Sequence, residues 1–224
     1  MKARLHAGAL VVFLLVFALV FLIVVITSTL ITFILPESYA SSTRIKIERK
    51  TDAGVEGKQT TLSSYDPHVI HTQLEMVRSE LILKPVIEEM DLNVKWGRKY
   101  LGGNDQLKTS ETLALLRQRL DVRSVGDTSL IQIRVFSDNP KEAADIANAV
   151  TKAYANYIGS TSNGLQLQVV DSAQPGFRPV RPNKPLNIAL GILFGVILGL
   201  GAGSLAAWIA HIWRRKTQRP PPIP

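Results

Sequence analysis

Two long apolar stretches bracket a region of short, mixed patterns. The first follows MKARLHAG and stays apolar to Leu35, where Pro36 ends it. It approaches 30 residues, against roughly 7–15 for the core of a signal peptide. Ser38-Tyr39-Ala40 offers a cleavage-like site, but the length favours a retained membrane helix. Thr27, Ser28, Thr29 and Thr32 near its end can hydrogen-bond back onto their own helix. The second stretch, Leu186 to Ala210, carries no charge over 25 positions. At about 1.5 Å per residue it makes ~37 Å of helix, enough to cross a hydrocarbon core of about 30 Å with some tilt.

Within the second stretch Gly191, Gly195, Gly199 and Gly203 recur every fourth residue, and Ala207 continues the row. Residues four apart share a helix face, so the glycines form a groove that another backbone can approach. Glycine is also common in membrane helices generally. The partner stays open between the other helix of this chain, a second subunit and another protein. Before this helix, residues 174–185 contain Pro175, Pro179, Pro182 and Pro185, with Arg178, Arg181 and Lys184 between them. Each proline fixes its φ and biases its predecessor towards extended backbone, which predicts a stiff, non-helical strut.

Between the apolar stretches the periodicity alternates between strand and helix. In YASSTRIKIERK, Ile45 and Ile47 alternate with Lys46 and Glu48, a half-buried strand. Thr51 to Thr61 reads as a polar loop. Asp66-Pro67 predicts a helix start, followed by Ile70, Leu74, Val77 and Leu81 at helical spacing. Ser79 can cap a second helix, and Pro85 predicts a kink or boundary. Leu101 to Asn104 reads as a loop; Thr109 or Ser110 then caps a short helix carrying Leu113, Leu116 and Leu120. Ile131, Ile133 and Val135 alternate with polar residues, and Asp138-Asn139-Pro140 ends that strand and caps a helix. Ala143, Ala147, Val150, Tyr154 and Tyr157 form its apolar stripe, and Leu165, Leu167 and Val169 make a last strand. The pattern predicts an α+β domain with a small sheet backed by helices, its terminal strands leading into the two apolar helices. Pairing those strands would set the two spans side by side.

Charge distribution changes the reading of the +8 net charge. Lys2, Arg4, Arg214, Arg215, Lys216 and Arg219 flank the apolar stretches, and Arg178, Arg181 and Lys184 lie in the strut. Removing those nine from the 26 basic residues leaves 17 against 18 acidic ones, so the intervening domain is near neutral. That argues against nucleic-acid binding and for basic ends that orient the chain and attract anionic lipid, with both termini cytoplasmic. Cysteine is absent, which excludes a disulfide scaffold and thiolate ligands.

Catalytic signatures are missing. His68, His71 and Glu75 share a helical spacing, but nothing nearby in sequence completes a metal site. Glu88, Glu89 and Asp91 read as a solvated acidic face. There is no GxxxxGK[ST] loop, GxSxG elbow or GxGxxG turn. The tail PPPIP reads as disordered polyproline, with a docking peptide as the alternative.

Three segments together resemble the polysaccharide co-polymerases, the Wzz-type chain-length determinants. TSLIQIRVFSDNPKEAADIANAVTKAYANY is similar to the family's strand, turn and Ala-Asn-Ala helix. VVDSAQPGFRPVRPNKPLNIALGILFGVILGLGAG resembles its proline-rich motif and glycine-rich second span, and YDPHVIHTQLEMVRSELILKPVIEEMDL its first helical segment. Many members carry a long helical arm; here only IGSTSNG separates Tyr157 from Leu165, so the chain resembles the membrane-proximal base alone. Some members add a cytoplasmic tyrosine kinase; this tail has no phosphate loop and no tyrosine, so a kinase is expected as a separate chain.

The resemblance implies a non-enzymatic, cofactor-free role: setting chain length, or supporting export, of O-antigen, capsule or exopolysaccharide. It implies a homo-oligomeric ring in the cytoplasmic (inner) membrane, partnered by a polysaccharide polymerase or export machinery and by membrane lipids. The alternatives are an adaptor activating a separate cytoplasmic tyrosine kinase and a two-span ligand sensor. The chain is expected to divide into a cytoplasmic N-terminus (1–7), a first span (8–35), an extracytoplasmic α+β domain (36–173), the strut (174–185), a second span (186–210) and a basic cytoplasmic tail (211–224).

Overall fold

A computed structural model describes residues 2–49, 66–103, 105–161 and 164–217. The expected loop at Thr51–Thr61 and the PPPIP tail lie outside the described residues. The chain divides into two units, Met1–Pro36 with Arg181–Pro224, and Glu37–Val180.

The Glu37–Val180 unit is α+β. Four antiparallel strands, β1 (Tyr39–Arg49), β2 (Leu120–Ser124), β3 (Leu130–Ser137) and β4 (Leu165–Asp171), lie in the order β2-β3-β1-β4. Central β1 pairs with β3 from Tyr39↔Ser137 to Lys46↔Leu130, and with β4 from Arg44↔Asp171 to Arg49↔Leu165. The first and last strands of the unit are therefore neighbours, as the sequence suggested. Ile45 and Ile47 are buried, and so are Ser41 and Thr43 on the same face. The half-buried face is thus twice as long as its apolar residues indicate.

Among the described residues five helices accompany the sheet: α2 (Pro67–Arg78), α3 (Glu80–Glu89), α4 (Leu92–Tyr100), α5 (Thr109–Arg119) and α6 (Pro140–Ser160). Asp66 Oδ1 accepts from the His68 and Val69 N–H groups, and Asn139 Oδ1 from Lys141 and Glu142, so both expected caps form. α6 packs on β1 and β3 through Ala143, Ala147, Val150 and Tyr154, and α3 packs on α6 through Ile82, Leu83, Val86 and Ile87. Trp96 is fully buried; its Nε1 donates to Glu142 Oε1 at 2.8 Å, and the Arg119 guanidinium lies 4.5 Å above its ring. One cluster thereby ties α4, α5 and the first turn of α6.

Four local expectations are corrected. Leu81 is 60% exposed, because Ser79 (φ −68°, ψ 155°) breaks the helix and resets its phase. Pro85 sits inside α3; burial of Ile82, Leu83, Val86 and Ile87 outweighs one missing hydrogen bond, and the carbonyl left without a donor belongs to exposed Leu81. α5 is capped at Lys108, whose N–H donates to Glu111 Oε2 at 3.0 Å, rather than at Thr109 or Ser110. Leu120 opens β2, a strand whose Leu120/Val122 alternation was absorbed into the helical pattern. α4 carried no expectation, although Leu92 and Trp96, one turn apart, are both fully buried.

The other unit contains α1 (Lys2–Ile34) and α7 (Lys184–Thr217). Asn183 starts α7: its Oδ1 accepts from Leu186 N–H at 3.2 Å and its carbonyl from Asn187 N–H at 2.9 Å. Pro185 therefore lies in the first helical turn, where its missing N–H costs nothing, rather than in a non-helical strut. Leu10–Ile34 and Lys184–Trp213 are long and apolar enough to cross a membrane, with mean hydropathies of 3.5 and 2.2. Their outward faces expose Leu14, Leu15, Leu19, Leu193, Leu198 and others, which suits lipid rather than water.

Candidate functional site

The proline-rich segment is fastened to the domain that precedes it. Asn148, between buried Ala147 and half-buried Ala149 on α6, spans both backbone polar groups of Ala173: Nδ2 donates to the carbonyl at 3.0 Å, and Oδ1 accepts from the N–H at 2.9 Å. Ser41 Oγ on β1 donates to the Gln174 carbonyl at 2.8 Å. Gly176 passes so close to β1 that a Cβ there would lie 2.8 Å from the Ala40 carbonyl oxygen. Val180 N–H donates to the Ser38 carbonyl at 2.8 Å. Residues 173–180 thus run beside the half of β1 that β4 leaves unpaired. Pro175 and Pro179 fall between the fastening points, consistent with a segment held by neighbours rather than by its own hydrogen bonds. Pro182 follows the last of them.

The sequence missed this clamp. Asn148 lies one position off the apolar stripe, and its only local signal is a polar residue among alanines. Thr151, one turn further, donates to the Ala147 carbonyl at 2.9 Å, and its Oγ1 lies 3.3 Å from the Thr43 hydroxyl, which can donate to it, so α6 grips both β1 and the segment after β4.

In the helical unit Gly191, Gly195, Gly199 and Gly203 are the buried residues along the row, and they face α1 of the same chain. A Cβ on Gly191 would lie 2.5 Å from Ser28 Oγ; on Gly195, Gly199 and Gly203 it would lie 3.0, 2.9 and 2.9 Å from Cδ2 of Phe21, Phe17 and Phe13. The three phenylalanines stack at centroid separations of 6.1 and 6.0 Å, forming a ridge that fills the glycine groove. The descending partner numbers make the pair antiparallel. Ser28 Oγ donates to the Asn187 carbonyl at 3.2 Å. Beside it a groove of about 510 Å³ is lined by Thr27, Ser28, Thr32, Asn187 and Phe194 among others.

The remaining candidates do not converge. His68, His71 and Glu75 are exposed, and Glu75 pairs with Arg78 at 3.3 Å. Glu88, Glu89 and Asp91 are exposed, with Lys152 Nζ 2.6 Å from Glu89. Among the described residues no three His, Cys, Asp or Glu side chains are grouped to hold a metal ion. Among the described residues two acids are perturbed. Burial raises the Asp138 carboxyl, but the hydrogen bond and charge of Lys99, with Ser137 Oγ and a backbone N–H, outweigh it and hold it below its ordinary value. Burial, reinforced by Tyr157, pushes the Tyr154 phenol well above its ordinary value. Both serve the fold: Tyr154 donates to Gln73 Oε1 at 2.7 Å.

No protein-family model matches the chain. Capsular polysaccharide biosynthesis protein CapA of Staphylococcus aureus (strain Mu50 / ATCC 700699) is 24% identical over 179 residues, 79% of this chain and 71% of CapA. The chain is similar to proteins of capsule biosynthesis. Capsular polysaccharide biosynthesis protein CpsC of Streptococcus pneumoniae is 23% identical over 192 residues, 86% of this chain and 74% of CpsC. Probable capsular polysaccharide biosynthesis protein YwqC of Bacillus subtilis (strain 168) is 26% identical over 184 residues, 80% and 65% of the two chains.

Proposed function

We propose that the chain is a non-enzymatic, two-span scaffold of the cytoplasmic membrane that takes part in building or exporting a surface polysaccharide. The similarity to capsule-biosynthesis proteins over 79% of the chain carries this reading. Both termini lie in the cytoplasm and the Glu37–Val180 unit lies outside. Copies assemble into a ring beside a polysaccharide polymerase or exporter and thereby set chain length. The clamp on residues 173–180 supports it physically: it holds the proline-rich segment against β1 and α6 to within four residues of Lys184 along the chain.

A second reading, an adaptor for a separate cytoplasmic tyrosine kinase, is favoured by α7. It stays helical through Arg214, Arg215 and Lys216 to Thr217, so the helix continues beyond the uncharged stretch into a basic segment. Deleting the residues after Arg215 in a producing strain separates the two. Normal polymer lengths with lost kinase phosphorylation support the adaptor. Polymer lengths altered by loss of the whole chain, yet restored by the truncated form without effect on phosphorylation, support the scaffold. A deletion of the whole chain that leaves polymer amount and length unchanged overturns both.

A further inference from the structure

Phe177 is 99% exposed, an aromatic ring wholly outside the packed domain. It is not on a loose loop. Upstream the backbone is pinned at Ala173, Gln174 and Gly176, and downstream at Val180 by Ser38. Val180 is 48% exposed, and Arg178 between them is exposed as well. The fold therefore holds a Phe-Arg-Pro-Val tip outward at fixed geometry. Covalent connection limits where that tip can be. Ser38 is four residues from Ile34, the end of α1, and Val180 is four from Lys184, the start of α7. At ~3.5 Å per residue the Ser38–Val180 hydrogen bond lies within about 14 Å of both helix ends.

We propose that this tip is a bilayer anchor: Phe177 and Val180 enter the headgroup boundary of the outer leaflet, and the Arg178 guanidinium pairs with the phosphate of an anionic phospholipid. The inference rests on the two-span reading above. An apolar ring beside a long cationic side chain matches that boundary, where the ring leaves water while the charge stays at the phosphates. A second copy of the chain would suit an apolar tip less well, because it would have to neutralise Arg178 from a surface near charge balance.

The chain has no cysteine, so single cysteines can be placed in the full-length protein without removing any. Phe177→Cys, Leu193→Cys and Asp127→Cys are labelled with an environment-sensitive fluorophore in vesicles of phosphatidylcholine and phosphatidylglycerol. Asp127 is exposed in the β2–β3 turn, at the sheet end away from Ser38, and Leu193 lies mid-helix in α7. The probe at 177 is expected to be quenched by lipids spin-labelled just below the headgroup, and to resist aqueous acrylamide several-fold better than the probe at 127. Adding Arg178→Gln should weaken the lipid quenching at 177 and leave that at 193 unchanged. Equal acrylamide access at 177 and 127 overturns the inference. So does a probe at 177 hidden from both quenchers, which indicates a protein partner such as a second copy. If the probe at 193 escapes lipids spin-labelled near the chain end, the two-span reading has failed, and the anchor falls with it.

Discussion

Asn148 and Ala173 are joined by two hydrogen bonds, one in each direction, from the side chain of α6 to the backbone just past β4. An asparagine amide offers a donor and an acceptor side by side, and here it replaces the strand partner that Ala173 lacks. Ala173 is only 6% exposed, so water cannot easily take over. Asn148→Ala is expected to cost ~2–4 kcal/mol, the penalty for leaving two partly buried backbone groups unpaired. Urea unfolding of the detergent-solubilised chain measures that loss. Amide exchange at Ala173 should accelerate more than exchange in β3; equal protection in both forms would show the clamp to be dispensable.

The glycine row makes a site-specific prediction. Alanine raises intrinsic helix propensity over glycine by about 1 kcal/mol. At Gly201 a Cβ meets nothing within 4 Å, so Gly201→Ala should stabilise or leave unchanged the α1–α7 pair. At Gly199 the Cβ would stand 2.9 Å from Phe17, so Gly199→Ala should weaken the pair, and Gly199→Leu should separate the helices. Spin-label distances between α1 and α7 in bicelles read the separation. Equal responses at 199 and 201 would deny the ridge-and-groove contact.

Alkaline pH should destabilise the Glu37–Val180 unit through Tyr154. Its phenol is held neutral in the fold, with a value raised above the ordinary 10.0 by burial first and Tyr157 second. Below that ordinary value both states keep the proton, and the stability is fully present. As pH rises above it the unfolded chain releases the proton while the fold resists, so stability falls. Tyr154→Phe should lose ~1–2 kcal/mol at neutral pH, because Gln73 Oε1 loses its donor, and should show a shallower alkaline decline. Parallel pH profiles for both forms would contradict this.

The phase break at Ser79 predicts opposite outcomes at two nearby leucines. Leu83 is fully buried, so Leu83→Ala should cost ~2–5 kcal/mol. Leu81 is mostly exposed, and Leu81→Ser should change stability by no more than about 0.5 kcal/mol. A continuous α2–α3 helix with Leu81 on its apolar stripe would give large losses at both, visible in the same urea titration.

Residue patterns alone defined what depends on neighbours in sequence. The alternation of Ile45 with Lys46 and of Ile131 with Gln132 marked β1 and β3, and Asp66 and Asn139 marked two helix starts. Uncharged runs marked α1 and α7, because helix length against bilayer thickness needs no tertiary information. Tertiary structure decided what depends on distant partners. Packing of α3 against α6 kept Pro85 helical, and pairing with β3 drew Leu120 out of a helical pattern into β2. The Phe13, Phe17 and Phe21 ridge gave the glycine row its partner in the same chain. Asn148 found its target 25 residues away, and Tyr154 found Gln73 81 residues away. Local periodicity encodes which face of an element turns inward; it carries no record of what that face will meet, because the meeting is settled by the free energy of the whole packed core.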